Sequence, residues 1–197
     1  MSDVVSPLAA FVFQHGALAG NILFRNVDED EDGEVPGLTG EERAAMNRAE
    51  PMLRETWLGI LNAGRDAFRR LAAGHPAQQE IDSYNKRKKK MWLDGEVKFK
   101  LAPDWRAECG IILHHWGADT YNMHVWVWTQ VRHRHAAEVA IAGLQPVPWR
   151  NDHGSFIRTL GVPQEGEAYA DIAGRAAEAL WSLARPIADA IHAELDR

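Results

Sequence analysis

Cysteine is almost missing from this chain: Cys109 is the one thiol in 197 residues. A lone thiol excludes an internal disulfide framework and a cysteine-built zinc site, and it fits a reducing compartment. Long apolar runs are absent too, none approaching the roughly 18 residues of a membrane-crossing helix. The opening residues, MSDVVSPLAAFVFQHG, lack a basic cluster and place an acid at Asp3, which argues against a secretory signal. The expectation is a soluble, cytoplasmic protein with no membrane partner. Equally scarce are the short motifs that announce an activity. There is no nucleophile elbow, no phosphate-cradling glycine loop and no HExxH. Ser155 follows Asp152-His153-Gly154, a tetrapeptide that reads as a turn. No repeat of solenoid period and no long linker divide the chain. One α+β domain over 1–197, with an acidic loop at about 26–40, is expected.

What is present favours a globular fold: 46% apolar residues and 25% charged are enough for a sizeable core. The net charge of −6 conceals an asymmetry. Residues 26–55 hold ten acids against three bases, and 165–197 hold seven against three. Residues 83–134 reverse the sign, with ten bases against five acids. A positive middle between negative flanks can hold one molecule together or orient it toward a charged partner.

The pattern is organised around residues 107–134, AECGIILHHWGADTYNMHVWVWTQVRHR. Two strand-forming runs are hinged there on Gly117-Ala118-Asp119-Thr120, with three of the eight tryptophans and four of the nine histidines. A loop centred between Ala118 and Asp119 would pair His114 with Met123 and Ile112 with Val125. Both faces of such a hairpin are largely apolar, so cover is expected on both sides. Glu96 to Leu101 alternates with period two and predicts a further strand. Leu53, Trp57, Ile60, Leu61, Gly64, Phe68 and Leu71 form a helical stripe, as do Tyr169, Ala173, Ala176, Leu180, Leu183, Ile187, Ile191 and Leu195. Pro51 is expected to restart a helix opened at Gly40. Residues 135–143 predict a short helix, and 146–163 an irregular connection. The resulting fold is α+β: an antiparallel sheet of three or more strands covered by helices from the N-terminal half and a long C-terminal helix. The expected arrangement puts these two groups of helices on opposite faces. The expected core is Leu53, Trp57, Leu61, Phe68, Ile112, Val125, Val127, Leu180, Leu183 and Ile187.

Four constellations carry chemistry. The basic run Lys86, Arg87, Lys88, Lys89 and Lys90, flanked by Tyr84 and Trp92, offers cations to phosphates or carboxylates and rings to bases. It competes with the plainer reading of a solvated charged face. Histidines 114, 115, 124, 133 and 135 supply imidazoles, the commonest nitrogen ligands for metals. Of these, His115 and His124 are the pair able to share an ion on facing strands. Glu96 and Lys98 sit two apart on one strand, where an acid can bind a divalent ion and a lysine can steady an attacking water. Asp28, Asp30, Asp32 and Gly33 match the first half of a calcium loop, but Thr39 stands where the closing glutamate belongs. Weighed together, these predict a non-catalytic binding or interaction protein that engages an anionic partner, nucleic acid or an acidic protein surface, through residues 86–90. The competing expectation is a metal-dependent hydrolase or nuclease built on the strand histidines or on Glu96 and Lys98. No cofactor is called for beyond that divalent ion.

Overall fold

The computed structural model describes residues 3–16, 40–87, 96–114 and 119–196. The calcium-loop half-motif at Asp28, Asp30 and Asp32 lies outside them. In chain order the elements are α1 (Pro7–Phe13), α2 (Gly40–Leu71), α3 (Gln78–Arg87), β1 (Glu96–Lys100), β2 (Ala107–His114), β3 (Asn122–Thr129), α4 (Arg134–Ile141), β4 (Trp149–Arg150), β5 (Phe156–Gly161) and α5 (Tyr169–Leu195). The strands form one antiparallel sheet in the order β1-β2-β3-β5-β4. The fold is therefore α+β, an antiparallel sheet covered by helices from the N-terminal half and a long C-terminal helix. Among the described residues no helix is long and apolar enough to cross a membrane.

The helices form where the stripes predict them, with one change. The α2 helix runs through Pro51 instead of restarting there. Pro51 is exposed, so the carbonyl it leaves without a donor lies on the side where water can serve it. At α1, the Ser6 hydroxyl accepts from the Ala9 amide at 3.2 Å, and Pro7 occupies the first turn, where its missing N–H costs nothing.

The two long helices lie on the same face, not on opposite ones. Phe68 of α2 meets Phe99 of β1 with ring centroids 4.3 Å apart and Trp181 of α5 at 5.8 Å. Gly64 comes so close to the sheet that a Cβ there would sit 3.0 Å from Ile111 Cδ1. The reason lies in the alternation of β2 and β3. Their pairs Cys109–Val127, Ile111–Val125 and Leu113–Met123 are apolar and share one face. Each fully buried Val, Leu or Ile there is worth about 1.5–3 kcal/mol, enough to draw every apolar helix stripe to that side. All ten expected core residues are buried, although Ile112 belongs to the other face.

Two further expectations change. The register of β2 against β3 differs by one residue: His114 pairs with Asn122, Ile112 with His124 and Ile111 with Val125. An odd number of residues separates His114 from Asn122, whereas the expected loop was even. A one-residue slip reassigns which side chains share a face. Residues 146–163 are not irregular throughout, because Phe156–Gly161 is a strand of the sheet, paired with β3. Its alternation is hidden by Arg158, which points into the helix-covered face beside Val125 and is itself buried.

Candidate functional site on the second face of the sheet

The corrected register sets the composition of the face that does not meet the long helices. One row across the strands reads Glu96, Ile112, His124, Thr159. The next reads Lys98, Gly110, Trp126, Ile157, Trp149, and a third reads Lys100, Glu108, Trp128. Among the described residues the apolar cluster here consists of Ile112, Trp126 and Ile157 with Trp128 packed beside them, and it has no helical member. Trp126 is 7% exposed and Trp128 half-buried.

Gly110 explains how Trp126 is buried although, among the described residues, no helix joins its cluster. A Cβ at position 110 would stand 2.8 Å from the indole and 2.6 Å from the Val97 carbonyl oxygen. Without one, the ring packs over Gly110 of β2 and reaches β1. There the Trp126 indole N–H donates to Glu96 Oε2 at 3.2 Å. Lys98 completes the group: its ammonium pairs with Glu96 and stands 5.9 Å from the Trp126 ring centroid. The Glu96–Lys98 pair thus comes together as the strand spacing predicts. One carboxylate oxygen meets the lysine and the other the indole. Asp82, the described acid of α3 nearest before β1 in the sequence, is held by Arg69 through two hydrogen bonds of 3.2 and 2.8 Å.

His124 is 1% exposed and engaged at both ring nitrogens. Its Nε2 lies 3.0 Å from the His114 carbonyl oxygen, which can only accept, so Nε2 carries the proton. Nδ1 therefore accepts from the Thr159 hydroxyl at 3.0 Å. Burial lowers the imidazole below its ordinary value, against the opposing pull of the bond to His114. In this arrangement neither nitrogen offers a lone pair to an ion. Its expected partner His115 lies outside the described residues. His133 faces elsewhere: its Nε2 accepts from Arg132 at 3.1 Å, so Nδ1–H donates to Glu194 at 2.6 Å and ties the start of α4 to the end of α5. His135 is exposed on α4. Among the described residues no three His, Cys, Asp or Glu side chains group to hold a metal. Cys109 faces the helices, where burial and then the charge of Glu108 push its thiol well above the usual range, the signature of an inert structural cysteine.

Of the basic segment, the backbone of Lys86 and Arg87 closes α3, while Lys88, Lys89 and Lys90 lie outside the described residues. The next described element is β1, whose outward residues continue the charge. Lys100 reaches Glu80 at 3.4 Å and stands 5.4 Å from the Trp105 ring centroid. Trp105 is 46% exposed and, like Asp104 before it, has a left-handed backbone, with φ of 57° and 55°. Two successive non-glycine residues in that region hold about 1–3 kcal/mol of strain each. They are braced by the Gln130 side-chain amide, which donates to the Asp104 carbonyl at 3.4 Å, and by the Gln130 amide donating to the Arg106 carbonyl at 3.0 Å. At the far edge Trp149 is 40% exposed, its indole N–H donating to Thr159 at 3.3 Å.

Trp105 and Trp149 were not singled out in the sequence, where Tyr84 and Trp92 were the rings offered to bases. A signal existed. Each stands beside turn-formers (Pro103-Asp104-Trp105, Pro148-Trp149), where a large ring is carried on a connection and not buried in a strand.

A groove of about 710 Å³ also lies between α2 and the start of α5, lined by Arg54, Leu58, Gly59, Asn62, Ala63 and Tyr169. Its polar groups are engaged: Tyr169 donates across the helix junction to Thr56 at 3.1 Å, and Arg54 donates to Glu50 within α2 at 3.1 Å. Comparisons with protein-family models, with curated proteins and with solved structures find no match to this chain.

Proposed function

We propose that this chain is a non-catalytic binding protein that engages an anionic partner along the β1 edge of its second face. The observation that carries the reading is the sequence of cations at that edge. Lys86 and Arg87 end α3, the basic run continues in the sequence through Lys90 toward β1, and β1 carries Lys98 and Lys100 on the second face beside the exposed ring of Trp105. Cations clustered at the edge of a sheet gain affinity for a polyanion by releasing its counterions, so the binding must weaken steeply with salt. The test is a salt titration with heparin, DNA and polyglutamate. Binding that falls several-fold or more between low and physiological salt, and falls again when Lys88, Lys89 and Lys90 are changed together to Gln, supports the reading. Binding indifferent to salt, or unaffected by the triple change, overturns it.

The competing reading is a metal-dependent hydrolase or nuclease, and the one observation in its favour is that Glu96 and Lys98 meet on one face. Metal analysis of the purified protein separates the two. A bound or activating divalent ion that is lost on Glu96→Gln favours the hydrolase.

A further inference from the structure

We infer that the anionic partner is a single-stranded nucleic acid, laid across the second face with bases stacked on Trp105 and Trp149. The inference rests on the polyanion reading above and names its ligand. Charge alone does not distinguish an acidic protein from a nucleic acid, but the rings do. Trp105 and Trp149 are 46% and 40% exposed at opposite edges of the sheet, one by β1 and one on β4. Four interstrand spacings of about 4.8 Å separate those edges, roughly 19 Å, a span of a few nucleotides.

The cations lie at the Trp105 end of that span, where a backbone leading onto the first stacked base would run. Lys98 is in the same cross-strand row as Trp149. Lys100 borders Trp105, and Arg106 reaches Asp104 only at 4.0 Å, the outer limit of an ion pair. Lys98 and Lys100 now pair with Glu96 and Glu80, and Glu108 shares the Lys100 row. Phosphates would have to exchange with those carboxylates, so the lysines give modest affinity and the rings become decisive.

A peptide of aspartate and glutamate has no aromatic ring to stack on an indole. A duplex keeps its bases stacked on one another and presents only its backbone to a broad sheet. An unpaired base offers its π-face to any ring, whatever its sequence.

The experiment uses the full chain and a fluorescein-labelled oligothymidylate of about twenty nucleotides, with the matching duplex, heparin and polyglutamate as competitors. Trp105→Ala and Trp149→Ala should each weaken oligothymidylate binding by about tenfold, and the loss should persist at high salt, since stacking is not screened. Trp105→Phe should recover most of the loss, which a general unfolding effect would not, and circular dichroism of each variant checks the fold. Equal binding of oligothymidylate, duplex and heparin, unchanged in both alanine variants, overturns this inference while leaving the polyanion reading intact. Preference for polyglutamate overturns it in favour of an acidic protein. No binding to any of the four at low salt removes both readings together.

Discussion

The two faces of the sheet are built from the same strands, one residue out of step, and they are built differently. The helix-covered face is a continuous apolar layer in which Val125, Val127, Ile111 and Leu113 meet α2 and α5. Its one ionisable intruder from β5 is Arg158, whose Nη1 donates to Ser182 at 2.8 Å, while Nε and Nη2 find no acceptor among the described residues. The other face pairs aromatic rings with charged groups: Trp126 with Glu96 and Lys98, Trp105 with Lys100. The contrast separates two jobs. Non-directional packing on one side makes the fold, and directional polar contacts on the other make a surface that can discriminate among partners.

The largest test of that contrast is Val127→Asp, which buries a lone carboxylate at a position 0% exposed. It should cost more than about 4 kcal/mol and leave little folded protein, whereas Trp128→Asp, on the half-buried side, should still fold. Equal damage from the two changes, by urea denaturation, would erase the distinction between faces. Gly110→Ala comes next. Its methyl group meets the Trp126 indole and the Val97 carbonyl, so a loss of about 1–3 kcal/mol is expected, together with a changed near-ultraviolet tryptophan signal. Wild-type stability and spectrum would mean that the indole does not lie over β2.

Arg158→Met is expected to act in the opposite direction. Removing a cation whose burial is not repaid by a carboxylate should raise stability by about 1 kcal/mol. For a chain of this size that is about 2–4 °C in Tm. A clear drop in Tm would mean that the guanidinium is better satisfied than its neighbours indicate.

The smallest effect concerns pH. Burial lowers the His124 pKa in the folded state below the ordinary 6.5, so the unfolded chain binds the proton more readily. The stability from this neutral imidazole is complete above 6.5 and is lost as pH falls from there through the lowered folded value. Urea midpoints should decline from about pH 7.5 to about pH 5, and His124→Gln should flatten that decline. An unchanged slope in the variant would assign the pH dependence to other groups.

Much of the helix-covered side was legible in the sequence because packing writes itself as periodicity. The stripes of α2 and α5 and the alternation of β1 each placed their element. The second face was harder to read. Its membership depends on register, and register turned on whether an odd or even number of residues separates His114 from Asn122. The strand at 156–161 stayed hidden because Arg158 occupies an inward position that the pattern reserves for an apolar side chain. The helices were expected on both faces because Trp126 and Trp128 made both look apolar. No periodicity reveals that an indole can pack over a glycine and bury itself on that side of the sheet.

The outer strands have a consequence beyond ligand capture. A sheet that does not close on itself has two margins, and among the described residues those margins are β1 and β4. At β4 the strand is only two residues long, too short to template another chain. β1 is longer, but Lys98 and Lys100 alternate along it, and charge is a common guard against strand-to-strand self-association. Exchanging both lysines for valine would turn β1 into an apolar ribbon, so the doubly changed protein should precipitate at concentrations where the parent stays dispersed.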